Sequence, residues 1–236
     1  VAKTKHRITN PEHTRYVKYR VALKDENPAE IFPAERRQTH QKGDSPTSIT
    51  LEVQSAGPED GEASTAEVDA QYLRPNALID SDDSRVRASM TRAIDGATEP
   101  WEKAKRINHW VFEKIRDKNF GTTFASASEV AKNLSGDCTE HAVLAAAMCR
   151  AANIPARVVV GLVYVPKLEG FGYHMWHEVY INQRWVAQDA SFDQTTVDAV
   201  HIKLSETSLD GVSPFESFLP VARILGKLEI EPLELR

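Results

Sequence analysis

The hydrophobic period of the chain changes several times, and each change marks an element. Residues 48–54 alternate, with Ile49, Leu51 and Val53 on one side, as a half-buried strand does. Residues 13–23, with Tyr16, Val17, Tyr19 and Val21, read as another strand. The polar stretch between them, 24–44, holds Pro28, Pro33 and Arg36-Arg37 and reads as a long connection with room for one short strand. Residues 55–67 are rich in Gly, Ala, Ser, Glu and Asp and read as a loop. From Tyr72 the period becomes helical. Asp82, Asp83 or Ser84 caps a helix running to Gly96. Thr98-Glu99-Pro100 opens a second, whose stripe is Trp101, Ala104, Ile107, Trp110, Val111 and Ile115. Ser128 is placed to cap a short helix over 129–134, after a Thr/Ser/Ala loop beginning at Phe120 that would flank a groove.

The most apolar helix follows. Gly136-Asp137 forms its turn and cap, Ala142 to Met148 its body, and Asn153-Ile154-Pro155 its end. Cys138 lies in its first turn, where the positive end of the helix favours a thiolate, the nucleophile of acyl transfer. Below Cys138 on the same face come Ala142, Ala145 and Cys149, all small, so the helix is expected to lie close against a sheet. Glu140, whose charge would oppose a thiolate, is expected to point away from it. His141 lies one turn on from Cys138 and is placed to line a pocket or support the cysteine.

Residues 157–165 are nearly all apolar, the mark of a strand covered on both faces. A linker over 167–172, with two glycines, leads to two aromatic and β-branched runs, 171–181 and 184–189, around Asn182-Gln183. These read as a β-hairpin. A two-residue loop sets Ile181 opposite Arg184 and Asp189 opposite Trp176, so that His174 is diagonal to Asp189 on one face. A three-residue loop reverses the parity and brings His177 over instead. The loop has no Gly, so spacing leaves both histidines open. A Cys at a helix start, a His on a strand and an Asp on the next compose a Cys-His-Asp triad: the His moves the thiol proton, the Asp holds the imidazole, and a backbone amide near Cys138 takes the oxyanion.

Four blocks, Gly136 to His141, Arg150 to Gly161, His174 to Tyr180 and Trp185 to Asp189, resemble the transglutaminase-like superfamily of the bacterial kind, in the family's order. The family's His-x-Trp-x-Glu-Val pattern falls on His174, Trp176, Glu178 and Val179, so the resemblance selects His174 over His177. It implies catalytic Cys138, His174 and Asp189, with Trp176, His141 and Glu140 as neighbours of the pocket. One departure is Asn119-Phe120, where relatives often carry a Tyr. The implied fold is α+β, the papain-like transglutaminase core: a central helix carrying the Cys on an antiparallel sheet. Residues 71–236 would form that core, and 1–70 a small β module or the tail of a truncated β domain. The implied activity is acyl transfer on protein or peptide carboxamides, hydrolytic rather than cross-linking, with a γ-glutamyltransferase as the alternative. The resemblance implies no organic cofactor and an extracytoplasmic or envelope location.

Composition changes little in this picture. The chain has 236 residues, 41% hydrophobic and 27% charged, with a net charge of -5. Nothing points to nucleic acid, and no apolar run is long enough to span a membrane. Val1 is not an initiator, so the chain is expected to be cut from a longer one. Cys138 and Cys149 on one helix would stand about 16 Å apart along its axis, too far for a disulfide. The acidic run 80–84 lacks the Gly and Glu of an EF-hand loop, Arg85 and Thr91 standing there instead. Two further readings compete with the enzyme. Cys138, His141, His174 and His177 are zinc-ligand types, but three apart on one helix and alternating across a strand they converge poorly. A binding module that keeps the fold without catalysis is the other. In the tail, 197–204 reads as a strand with His201 packed in the fold, 215–225 as a short helix, and 228–230 and 233–235 as edge strands.

Overall fold

The computed structural model describes residues 2–116, 125–211 and 216–236. The chain is α+β, and every strand pairing is antiparallel. The first strands are β1 (Ala2–Lys3), β2 (Tyr16–Leu23), β3 (Gln38–Lys42) and β4 (Ser48–Gln54). Four helices follow, α1 (Ser84–Ile94), α2 (Pro100–Lys114), α3 (Ala127–Asn133) and α4 (Cys138–Ala151). Then come β5 (Ala156–Val165), β6 (Gly170–Ile181), β7 (Arg184–Gln188), β8 (His201–Thr207), α5 (Leu219–Ile224) and β9 (Leu228–Leu235).

Two sheets result. One runs β1-β6-β5-β8, with β7 also on β6; the other runs β3-β4-β2-β9. Helix α4 lies at the centre of the first core. Ala142 to Cys149 are all buried, among Ile107 and Val111 of α2, Val86 of α1, Val158 and Val160 of β5, and Met175 and Val179 of β6. A run of alanines allows this, because small side chains let a helix approach a sheet and three other helices at once. A second core joins the sheets: Val17, Tyr19, Val21, Leu51 and Val53 pack with Leu162, Tyr164, Ile202 and Leu204. At about 25 cal/mol per Å² of apolar surface, burial on both sides of β5 is the main force holding the layers together.

Several elements differ from the sequence reading. The cap of α3 is Ser126, not Ser128: Ser126 Oγ accepts from the Glu129 amide while Glu129 accepts from the Ser126 amide. Ser128 instead donates its amide to Asp80 Oδ1 at 2.9 Å, which uses one member of the acidic run as a tether. Asp83 of that run caps α1, accepting from the Arg85 amide at 2.7 Å. The glycine-bearing linker is no free loop, because β6 starts at Gly170, whose register partner is Lys3 of β1. The strand expected from 197 starts only at His201. The tail forms one strand, β9, which pairs with β2. The four-stranded sheet therefore does not stop at residue 70: its edge strand comes from 228–235. The departure at Asn119-Phe120, the first half of the loop beginning there, and Phe215 lie outside the described residues. Among the described residues no helix is long and apolar enough to cross a membrane.

Candidate active site

The start of α4 is built by a reciprocal cap. Asp137 Oδ1 accepts from the Thr139 amide at 2.8 Å, and Glu140 Oε2 accepts from the Asp137 amide at 2.9 Å. Gly136 makes room for this: at φ +150 a Cβ there would stand 2.3 Å from Glu140 Cβ. Glu140 is buried and folded back onto its own cap rather than turned to solvent. Burial, with Asp137 beside it, raises its carboxyl above the usual range. His141 is also buried, its Nδ1 2.6 Å from the Asp137 carbonyl oxygen. Cys138, partly exposed, opens the helix, and both cysteines are free.

The hairpin decides which histidine faces the aspartate. Asn182 and Gln183 both take positive φ, 49° and 59°, so the loop is two residues long without any Gly. The register runs Ile181 with Arg184, Tyr180 with Trp185 and His177 with Gln188. Asp189, next in line, meets His174, with Nε2 to Oδ2 at 2.6 Å. The imidazole is 5% exposed and the carboxylate fully buried. Burial works against charge on His174, but the Asp189 carboxylate, its hydrogen bond, and a hydrogen bond with Cys138 outweigh it and raise the ring to about 10. With Nε2 committed to Asp189, Nδ1 is the nitrogen left for the thiol. Burial likewise opposes charge on Asp189, yet His174 and His201 hold it well below the usual carboxylate range.

His177 lies on the opposite face, fully buried, with neither ring nitrogen hydrogen-bonded. Burial pushes it down to about 4, against weaker upward pulls from Asp189, Gln188 and Glu178. Glu178 of the family pattern does not enter the site either: its carboxylate meets Arg157 at 2.7 Å and Lys203 at 3.1 Å in a buried ion cluster. Trp176 is buried with its ring 6.2 Å from that of His174 and 5.3 Å from that of His201. Gly161 of β5 makes that possible, since a Cβ there would lie 2.5 Å from Trp176 Cη2.

Three neighbours were not legible as site residues. Ser191 gives both its amide and its hydroxyl to Asp189 Oδ1, at 2.7 and 2.6 Å. Phe192 stacks on the His174 ring at 5.0 Å while 46% exposed, so it presents an apolar face beside the imidazole. His201 Nε2 lies 3.1 Å from Asp189 Oδ2, and its Nδ1 2.7 Å from Asp198 Oδ1. The only sequence signal for these was proximity to Asp189 or to Asp198. The ladder bridge between Asp189 and Gln194 that turns the chain back is a tertiary fact. His174, Asp189 and His201 bring three ligand-type atoms within 4.8 Å of one another, but the hydrogen bonds above occupy those atoms. The four-residue zinc set does not assemble, because His141 turns to its own helix cap and His177 to the far face.

The fold mixes helices with antiparallel sheets and sets a cysteine at the head of a buried helix and a histidine–aspartate pair on adjacent strands, an α+β arrangement like that of transglutaminase-like cores. Residues 88–190, the stretch that holds Cys138, His174 and Asp189, match the family model described as the Transglutaminase-like superfamily. Among solved structures, the chain is similar to a candidate cysteine protease from Cytophaga hutchinsonii, with TM-score 0.55 and 17% identity over 94% of this chain and 86% of that one. It is also similar to the periplasmic domain of TgpA from Pseudomonas aeruginosa, with TM-score 0.51 and 15% identity over 81% of this chain and 75% of that one. At such identities the likeness is one of fold. No curated protein sequence matches the chain.

Proposed function

We propose that this chain is a thiol enzyme that cleaves carboxamide or peptide bonds of protein or peptide substrates through a Cys138 acyl-enzyme, with water as the usual acceptor. The observation that supports this reading most is the buried hydrogen bond of 2.6 Å between His174 Nε2 and Asp189 Oδ2, with Cys138 at the start of α4 acting on the same imidazole. His174 holds the proton drawn from Cys138 while the sulfur attacks the carbonyl carbon. The resulting oxyanion is met by the Cys138 amide, since the Thr139 and Glu140 amides are taken by the Asp137 cap. Collapse of the tetrahedral intermediate expels the amine, which takes the proton from His174, and leaves a thioester. His174 then deprotonates a water that attacks the thioester, and the returning proton restores the thiol. Asp189 stays ionised throughout and holds the ring. The similarity in fold to a candidate cysteine protease favours water over an amine as acceptor.

Mass spectrometry of a peptide library after incubation separates the outcomes. New termini mean cleavage, Gln-to-Glu conversion means deamidation, and linkage of an added primary amine means transfer. Cleavage or deamidation that Cys138→Ala abolishes is the expected result. Amine linkage as the main product would replace hydrolysis by γ-glutamyl transfer. No Cys138-dependent product of any kind would favour a binding module.

A further inference from the structure

We propose that His201 is a fixed imidazolium, clamped between Asp189 and Asp198, that positions the Asp189 carboxylate and restrains the basicity of His174. This deepens the thiol-enzyme reading above and rests on it for its functional consequence. The charge state does not depend on that reading.

The argument is one of donors and acceptors. Each ring nitrogen of His201 faces a carboxylate oxygen, Asp189 Oδ2 at 3.1 Å and Asp198 Oδ1 at 2.7 Å. An ionised carboxylate only accepts, so both nitrogens must carry protons, and a doubly protonated imidazole is a cation. The carboxylates are themselves surrounded by donors. Asp198 Oδ1 accepts from the Val200 amide at 3.0 Å, and Oδ2 from Gln194 Nε2 at 2.7 Å. Asp189 Oδ1 takes both donors of Ser191, and Oδ2 takes His174. Both oxygens of each acid are thus met by donors. His201 is fully buried, so water supplies no alternative partner. Burial opposes its charge, and the two carboxylates more than offset that.

The consequence for His174 follows from sharing. Asp189 Oδ2 serves two rings whose centroids are 5.6 Å apart. Its negative charge is divided between them, and the charge on His201 opposes a proton on His174. Without that restraint His174 would hold its proton more tightly and release it less readily to a leaving amine. The other groups facing this cluster do not cancel the effect. Cys138 meets His174 directly, His177 near Asp189 is neutral above about 4, and Arg37 and Tyr19 lie toward Asp198. The rings of Trp176 and Phe192 close the remaining sides of His201 at 5.3 and 6.1 Å.

The test is nitrogen-15 NMR of the histidine side chains in the whole chain, titrated from pH 5 to 12. In the wild type both ring nitrogens of His201 should be protonated at pH 7; a neutral tautomer there overturns the proposal. In His201→Gln the amide keeps a donor toward Asp189 but no charge. A like charge removed at this separation should move the His174 midpoint up by about one to two pH units. An unmoved midpoint means that His201 is only a packing residue, which also overturns it. If His201→Gln does not fold, Asp198→Asn answers the same question: His201 should release its proton within the range and the His174 midpoint should rise. Iodoacetamide labelling of wild-type Cys138 is run alongside. Labelling no faster than Cys149, with the His201 signals as expected, would sink the thiol-enzyme reading and leave the charge assignment standing.

Discussion

Replacing His177 by Met should remove a large part of the acid sensitivity of this fold. The ring is fully buried on β6 with no hydrogen bond to either nitrogen, so an apolar side chain of similar volume removes no bond; the neighbouring Gln188 Oε1 is unpaired with the imidazole present as well. Burial lowers the imidazole from its ordinary value near 6.5 to about 4. Because the folded value lies below the unfolded one, the unfolded chain binds the extra proton between those limits. The stability associated with a neutral His177 is therefore complete above about pH 6.5 and lost as pH falls toward 4. A gap of about 2.5 pH units corresponds to about 3 kcal/mol. His174 has the opposite sign: raised to about 10, its ionic contribution is complete below 6.5 and lost as pH rises through 10, so it adds nothing to an acid limb. The assay is urea unfolding of wild type and His177→Met at pH 7 and pH 4.5. Expected are free energies within about 1 kcal/mol of each other at pH 7, and a variant about 2–3 kcal/mol the more stable at pH 4.5. Using the pair cancels the carboxylates that titrate in both proteins. Parallel loss of stability in the two would refute the reasoning.

Three other outcomes follow. Iodoacetamide should label Cys138 well before Cys149 in the folded protein, because Cys149 is fully buried and burial pushes its thiol up; equal slow labelling, read by peptide mass spectrometry, would count against an activated thiol. Gly161→Ala should cost about 3 kcal/mol or more, since the new methyl would lie 2.2 Å from the Ile202 carbonyl oxygen and 2.5 Å from the Trp176 ring; a melting temperature within a degree of wild type would contradict this. Lys203→Met should cost about 3–5 kcal/mol in urea unfolding, because it takes a cation from the buried cluster of Glu178, Glu206 and Glu35 and leaves charge uncompensated.

Local features were readable from the order of residues because they obey local rules. The α4 cap needs only Gly136, Asp137 and Glu140 within one turn. The alternation of 48–54 survives intact as β4. The two-residue loop of the hairpin was one of two readings, and the strands settled it by setting Asn182 and Gln183 in a left-handed conformation that Asn accepts readily and Gln does not. What chain order could not show was anything that depends on distant segments meeting. β9 closes a sheet begun more than 200 residues earlier, at β2, because that edge of β2 would otherwise expose unpaired amides. Glu178, part of the recognised pattern, serves an ion cluster because Arg157 approaches it from β5 and Lys203 from β8, one strand further on. His201 lies against Asp189 only because the chain turns back through the Asp189–Gln194 bridge. The cysteine's place at a helix head and the strands that carry His174 and Asp189 follow from short-range periodicity and capping, so the order of residues was enough to find them. Tertiary structure alone decided which groups share the buried carboxylate, since that depends on three-dimensional closure rather than on neighbours in the chain.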